Sequence, residues 1–187
     1  MNNGKILKNG NTCYVSLVSF NSRNIVLKRY NHKGFIHSLR HTIKGSRAHK
    51  NWLKASKLKE LSISVPKTLG FVDRYKVGIL WNSYFIYEYV DGIELDKILK
   101  KQNSDFNIEK IAKDIDESIK KMVNNNISHS DMKSTNFLIA DDKTYILDID
   151  AVRLHKNKWY CRIEQKKNNL RMDKIVRCKF KENYYEK

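Results

Sequence analysis

The chain has 187 residues, 41% of them hydrophobic, and includes seven Phe, ten Tyr and three Trp. This composition supports a hydrophobic core and excludes a largely disordered chain. No segment approaches the roughly 18 apolar residues of a membrane span, and residues 1–10 lack the apolar stretch of a secretory signal. Cys13, Cys161 and Cys178 show no C-x-x-C spacing. We therefore expect a cytoplasmic protein with reduced thiols.

The formal charge of +17 is concentrated in two blocks. Residues 21–60 carry a net charge of +10 and residues 151–187 a net charge of +8, so the rest of the chain is close to neutral. Such blocks predict a polyanionic partner, which could be nucleic acid, an anionic membrane surface or a phosphorylated glycolipid. In the second block, we expect Lys166, Lys167 and Arg171 to contribute to binding of anionic vesicles.

The first half of the chain is rich in predicted strands. β-Branched and aromatic residues predict strands over Thr12–Phe20 and Asn24–Tyr30, with a turn at Asn21–Arg23 between them. One basic helix is predicted over Arg47–Leu61, with Ala48, Trp52, Ala55 and Leu58 on a single face. Two or three further strands are predicted after Pro66, over Thr68–Tyr75 and Val77–Val90, the last of them being Ser83–Val90.

The second half begins after the turn signal Asp91-Gly92. A short helix is predicted over Glu94–Lys101, and a longer one over Asn107–Asn124 has its isoleucines on one face. A loop and a small hairpin follow. This order predicts an α+β, protein-kinase-like fold of two lobes, with a strand-rich N-lobe (residues 1–90) that covers the nucleotide and a small, mainly helical C-lobe (residues 91–187).

The most informative motif is H-x-D-x-K-x-x-N, formed by His129, Asp131, Lys133 and Asn136. An apolar strand, a polar turn and a second apolar strand ending at Asp148 follow it. This is the arrangement of a kinase-like phosphotransferase. Asp131 is the candidate catalytic base, and Lys133 is placed to neutralise charge on the transferred phosphoryl group.

Asn136 and Asp148 are the candidate metal ligands. Amide and carboxylate oxygens are the hard ligands that Mg²⁺ prefers. Asp150 could bind the metal or close a turn, and His129 is expected to have a structural role. A hydrolase metal site formed by His129, Asp148 and Asp150 is less favoured, because no second histidine cluster supplies further ligands.

The nucleotide-binding candidates lie in the predicted N-lobe. Lys28 is a candidate for contact with the ATP phosphates, and backbone groups of Glu88, Tyr89 and Val90 are candidates for contact with adenine. No glycine-rich loop precedes Lys28, so a looser turn at residues 8–11 would have to cover the phosphates. Glu60 is the one acidic residue of the predicted helix that could pair with Lys28. A Walker-type phosphate loop is absent.

Several segments together resemble the bacterial lipopolysaccharide core kinases, the Kdo/heptose kinase family. They are NIVLKRYN, SRAHKNWLKASKL with the following valine-proline, SYFIYEYVDG, HSDMKSTNFLI and YILDIDAVRL, between Asn24 and His155. The resemblance implies an ATP- and Mg²⁺-dependent enzyme on the cytoplasmic face of the inner membrane. Its acceptor would be a sugar hydroxyl of the lipopolysaccharide inner core. The resemblance also assigns base and metal-ligand roles to Asp131, Asn136 and Asp148.

Other functions remain open from the residues alone. A small atypical protein kinase or an antibiotic phosphotransferase would share Asp131 and Asp148, although only 37 residues without an A-P-E motif follow Asp150. A pseudokinase would bind nucleotide without turnover. A nucleic-acid-binding module would use the charge and aromatics such as Trp52, Trp159 and Tyr160, but no zinc-finger or RNA-binding signature supports it.

Overall fold

The computed structural model describes residues 4–31, 34–101 and 106–169. The chain mixes α-helices with antiparallel β-sheets and divides into two compact units. The first unit comprises Met1–Lys57 and Pro66–Val90, and the second comprises Leu58–Val65 and Asp91–Lys187. Among the residues described, no helix has both the length and the apolar character needed to span a membrane.

A five-stranded antiparallel sheet forms most of the first unit, in the order β1-β2-β3-β5-β4. Its strands are β1 (Lys5–Asn9), β2 (Cys13–Phe20), β3 (Arg23–Tyr30), β4 (Thr68–Lys76) and β5 (Ile79–Glu88). Asn21 and Ser22 join β2 to β3 with φ angles of 47° and 61°, the left-handed pair that a tight hairpin turn requires. β5 is continuous from Ile79, so the separate strand predicted to begin at Ser83 is wrong.

Two helices follow β3, α1 (Phe35–Lys44) and α2 (Arg47–Glu60). The prediction of a single helix in this region is therefore wrong for α1, which directs its apolar side chains to solvent instead of presenting a core-facing stripe. The predicted face of α2 is confirmed, since Ala48, Ala55 and Leu58 are buried and Trp52 is half-buried. β1 also was not predicted, and all five of its residues are exposed at the edge of the sheet.

The second unit combines helices with short strands. Its helices are α3 (Leu95–Lys101), α4 (Ile108–Asn124) and α5 (Lys158–Asn169). Its strands are β6 (Ile93–Glu94), β7 (Ile127–His129), β8 (Phe137–Ala140), β9 (Lys143–Ile146) and β10 (Val152–Leu154). β6, β8 and β9 form one antiparallel sheet, and β7 pairs with β10 in another.

α4 has the amphipathic pattern expected from the sequence and buries that face in the core of the second unit. Six of its residues are buried: Ile111, Ala112, Ile115, Ile119, Met122 and Val123. The side chain of Asn107 accepts a hydrogen bond from the Lys110 N–H at 3.0 Å and caps the helix, an interaction worth about 1 kcal/mol. Met132 and Phe137 from the following loop and strand are also fully buried.

α5 was not predicted, and its buried face is largely polar. Cys161, Gln165 and Asn168 are buried at helical spacing, whereas the lysines of its last turn are exposed. Burial raises the pKa of the Cys161 thiol to about 11, with a further contribution from nearby Glu164. Cys13 is also buried and free. Arg171 and Cys178 lie outside the described residues.

Candidate active site

The loop that carries Asp131 leaves a buried two-stranded sheet. β7 is buried along its length and pairs with β10, with His129 opposite Val152. The N–H and the hydroxyl of Ser130 both donate to the Ala151 carbonyl, at 2.8 and 2.9 Å. These bonds fix the backbone immediately before Asp131, whose side chain is 29% exposed. The Asp131 carboxylate is thus accessible to solvent, although it directly follows a fixed and buried segment of backbone.

Three predicted residues meet at Asp131. The Asn136 side-chain amide donates to the Asp131 carbonyl at 2.8 Å and to its carboxylate at 3.1 Å. The Lys133 ammonium lies 3.1 Å from the other carboxylate oxygen. The Asp131 N–H points to Nδ1 of His129 at 3.3 Å. Both carboxylate oxygens therefore have a donor, and the side-chain orientation of Asp131 is defined from two sides.

These contacts set the ionisation of Asp131. Partial burial raises its pKa, but the hydrogen bonds from Lys133 and Asn136, together with the charge of Lys133, outweigh burial, so its pKa lies below the ordinary value for aspartate. The carboxylate consequently stays ionised at neutral pH. An anionic carboxylate is the form that a general base requires.

We expect Lys133→Ala to raise the pKa of Asp131, because the substitution removes a hydrogen bond and a positive charge that favour the ionised form. The measurement is a ¹³C NMR titration of the Asp131 side-chain carboxyl in both proteins. The midpoint should move to higher pH in the variant. Lys143→Ala, which removes an exposed lysine from β9, is the control and should leave the midpoint in place. An unchanged midpoint in Lys133→Ala would contradict the assigned ion pair.

The β8–β9 hairpin brings the two candidate metal ligands to the same end. Asn136 closes a 3₁₀ turn (Ser134–Asn136) immediately before β8. The Leu147 N–H donates to the Asn136 carbonyl at 2.9 Å, which extends the hairpin pairing by one residue and places Asp148 next along the chain. Asp148 then begins a second 3₁₀ turn (Ile149–Ala151), which contains Asp150.

The donor set at this end suits a hard cation. Because the Asn136 NH₂ group faces Asp131, its amide oxygen is the atom left for a metal. With the Asp148 carboxylate it would provide two oxygen ligands, the type that Mg²⁺ uses together with substrate phosphates. In the described part of the chain, no group of three or more His, Cys, Asp or Glu side chains is placed to hold a metal ion.

Two contacts that hold the loop were not predicted. The buried side chain of Gln165 in α5 accepts a hydrogen bond from the His129 N–H at 3.0 Å. The Ser134 hydroxyl donates to the Asp96 carboxylate of α3 at 3.3 Å, and Asp96 also pairs with Lys100. The hydrogen bond from Lys100 is the main reason that the pKa of Asp96 is lowered. Neither contact has a local sequence signal, since their partners are 36 and 38 residues apart.

The nucleotide-binding candidates are all in the first unit. Lys28 lies in the middle of β3, paired with Val15 on β2 and Phe85 on β5. Its ammonium is 5.7 Å from the centre of the Tyr30 ring, and the Arg47 guanidinium is 4.5 Å from the same ring. Glu60, the candidate partner of Lys28, is the last residue of α2 and belongs to the second unit.

At the end of β5, two of the predicted hinge amides are already used within the protein. The Glu88 N–H donates to the Lys67 carbonyl at 2.8 Å, and the Tyr89 N–H donates to the Asn24 carbonyl at 2.9 Å. The second bond makes Ile25 and Glu88 a non-hydrogen-bonded pair, so the Glu88 carbonyl is not engaged with Ile25. The Glu88 carboxylate pairs with Lys67 at 2.9 Å. The backbone groups that remain candidates for contact with adenine are therefore the carbonyls of Glu88 and Tyr89 and the groups of Val90.

The turn predicted to cover the phosphates is the connection between β1 and β2. Residues 8 and 9 belong to β1, and the turn itself comprises residues 10–12. The Asn31 side chain contacts the carbonyls of Gly10 and Asn11 at 3.2 and 3.4 Å, and its N–H donates to the Thr12 carbonyl at 3.2 Å. Asn31 thereby holds a turn in which Gly10 is the one glycine, where a kinase glycine-rich loop has three.

Two comparisons with known proteins found similarity to this chain. A family model described as lipopolysaccharide kinase (Kdo/WaaP) family matches residues 2–182. Among solved structures, the fold is similar to that of WaaP in a complex of WaaP with acyl carrier protein, with a TM-score of 0.66 and 12% sequence identity over 89% of this chain and 69% of that one. No curated protein matches the chain. Because the family model spans nearly the whole sequence, the predicted resemblance is confirmed, and the chain belongs to the lipopolysaccharide kinase (Kdo/WaaP) family.

Proposed function

We propose that this chain is a kinase that transfers the γ-phosphoryl group of ATP to a sugar hydroxyl, of heptose or Kdo, in the lipopolysaccharide inner core. The observation that carries the proposal is the contact between Asp131 and Asn136 beside the hairpin that ends at Asp148. Membership of a family of lipopolysaccharide kinases supports the acceptor class. We propose that the two units correspond to the lobes of a protein-kinase-like fold, as expected from the sequence.

In this proposal, Asp131 orients the acceptor hydroxyl and receives its proton. The hydroxyl oxygen forms a bond to the γ-phosphorus while the bond from that phosphorus to the β,γ-bridging oxygen breaks and ADP leaves. Lys133, which contacts Asp131 through a side chain that is 57% exposed, can turn toward the transferred group and balance its charge. The low pKa of Asp131 keeps its carboxylate ready to accept the hydrogen bond of the hydroxyl.

The remaining candidates hold ATP and its metal. Asn136 and Asp148 would bind Mg²⁺, which, when present, neutralises charge on the phosphates. Lys28 would contact the phosphates, and the carbonyls of Glu88 and Tyr89 with the backbone groups of Val90 would bind adenine. Because the proposed acceptor is part of a membrane glycolipid, the proposal includes peripheral contact with the cytoplasmic face of the inner membrane.

The test is transfer of labelled γ-phosphate from Mg·ATP to dephosphorylated lipopolysaccharide core, with a peptide and an aminoglycoside offered in the same mixture. We expect label on the glycolipid alone. Two truncated acceptors, one ending at Kdo and one that includes heptose, identify the sugar. The assay is run with and without acyl carrier protein, because the similar WaaP structure contains that partner. Transfer only to the peptide or only to the aminoglycoside would contradict this proposal and indicate a protein kinase or an antibiotic phosphotransferase instead.

A further inference from the structure

α1 exposes its large apolar side chains instead of burying them. The four are Phe35, Ile36, Leu39 and Ile43. Helical spacing places them within an arc of about 100°, so they form one continuous stripe along the helix. Ile36 and Ile43, at one edge of that stripe, are 84% and 78% exposed. An ordinary surface helix has the opposite arrangement, with its apolar stripe against the core.

The opposite face of α1 is polar and holds the helix against the sheet. Ser38 is buried, and the Thr42 hydroxyl donates to the Ser38 carbonyl at 2.9 Å. The same hydroxyl oxygen accepts a hydrogen bond from the Leu80 N–H of β5 at 2.8 Å. Rolling the helix to bury its apolar stripe would break this bond and leave the Leu80 N–H without its partner. The outward direction of the stripe is therefore determined by specific contacts.

Positive charge borders the apolar stripe on one side. Arg40 and Lys44 follow the stripe around the helix, and both are exposed. Burial first, and then the charges of Arg40 and Lys44, lower the pKa of Lys50 in α2. The sequence has no Asp or Glu between residues 24 and 59, so no acidic side chain of that segment offsets the three. The area has an apolar centre and a cationic border.

We propose that α1 is an interfacial helix that lies in the surface of an anionic lipid bilayer. Phe35, Ile36 and Ile43 enter the boundary between headgroups and acyl chains, and Arg40 and Lys44 bind the headgroup phosphates. The charge distribution favours this occupant over a second copy of the chain, which would bring an equally cationic surface. The inference deepens the proposed function, since it names the surface by which an enzyme with a membrane glycolipid acceptor reaches its substrate.

The first test measures binding to vesicles of phosphatidylethanolamine and phosphatidylglycerol that contain no lipopolysaccharide. Ile36→Ser combined with Ile43→Ser removes apolar surface from the stripe without altering the polar face, and we expect at least about ten-fold weaker binding. Leu69→Ser combined with Val72→Ser removes two exposed apolar side chains from β4 of the same unit and is the matched control. Equal binding by the wild type and the α1 variant would overturn the proposal.

The second test separates insertion from surface attraction. Ile36→Trp places a fluorophore in the stripe, and its emission should shift to shorter wavelength and be quenched by brominated lipids when vesicles are added. Arg40→Gln with Lys44→Gln should weaken binding by about five-fold for each charge at low salt, with a smaller difference at high salt. Absence of both shift and quenching would exclude insertion. A protein that is dimeric as wild type and monomeric as the Ile→Ser variant would instead identify a second copy as the occupant.

The vesicle tests need neither ATP nor an acceptor, so they fail or succeed independently of the proposed activity. Asp131→Ala should bind vesicles as the wild type does, because Asp131 is not part of α1 or of its contacts. Lost vesicle binding in the α1 variant together with intact transfer to a detergent-solubilised acceptor would support both proposals. If vesicle binding depends on α1 but the protein transfers no phosphate to lipopolysaccharide, the interfacial helix would be supported and the proposed acceptor would be wrong.

Discussion

Asp131→Ala is expected to reduce phosphoryl transfer by about 10³-fold while ATP binding is preserved, since general-base catalysis contributes about 10²–10⁴-fold. The carboxylate is the one group of the loop with the charge, the exposure and the fixed orientation to accept the acceptor proton. Removing it leaves the buried strands β7 and β10 unchanged. The measurement is a comparison of kcat at saturating ATP and acceptor, with ATP affinity measured separately by calorimetry.

Glu117→Ala is the control for this experiment. It removes an exposed carboxylate from α4 of the same unit and should retain full transfer. The variant Asp131→Asn adds a sharper comparison, because asparagine can still accept the hydrogen bond from Asn136 but carries no negative charge. We expect Asp131→Asn to be as inactive as the alanine variant. Substantial turnover by either variant would assign the base to another residue.

The second large effect is expected from Asp148→Asn. If Asp148 binds Mg²⁺ directly, the half-saturating Mg²⁺ concentration should rise by about 100-fold or more, because even outer-sphere partners of metal ligands are worth about 10–100-fold in affinity. The hairpin pairing through Leu147 does not depend on the side chain of Asp148, so the fold should be retained. The measurement is the Mg²⁺ dependence of nucleotide binding and of transfer.

Asp141→Asn is the matched control for the metal experiment. Asp141 is exposed in the two-residue turn between β8 and β9, with φ at 47°, a conformation that asparagine adopts as readily as aspartate. Its substitution should leave the Mg²⁺ dependence unchanged. Asp150→Asn decides the question that the sequence leaves open, since a shift comparable to that of Asp148→Asn would make Asp150 a ligand as well. An unshifted Mg²⁺ dependence in Asp148→Asn would remove Asp148 from the metal site.

The sequence predicted the elements whose signals are local. α4 has a regular apolar stripe and an asparagine cap, and the observed helix differs from the predicted one by its first residue. The hairpin was visible as two apolar segments around Asp141 and Asp142, which have positive φ angles of 47° and 58°. Asp131, Lys133 and Asn136 meet because the first and the last are only five positions apart in one loop, so their spacing largely determines their contact.

Two helices escaped prediction because sequence patterns assume that apolar residues face the core. α1 has the apolar periodicity of a helix between Gly34 and Gly45, but this signal was not recognised, and the stripe faces solvent. In α5 the buried face is largely polar, because it consists of Cys161, Gln165 and Asn168. In the sequence these residues look like an ordinary exposed surface, so the helix was not predicted. The contact of Gln165 with His129 joins residues far apart in sequence, and only the folded chain reveals it.

The hairpin between Asn136 and Asp148 also limits how this part of the chain can change in length. The positions of both candidate ligands depend on one pairing register of β8 and β9, in which Phe137 lies opposite Ile146 and Ala140 opposite Lys143. An insertion of a single residue into one strand would turn each following side chain to the other face of the sheet and carry Asp148 away from Asn136. Residues added at the turn, or in equal numbers to both strands, would preserve the pairing. Changes in length should therefore be tolerated at the tip of the hairpin, whereas its base requires a fixed geometry.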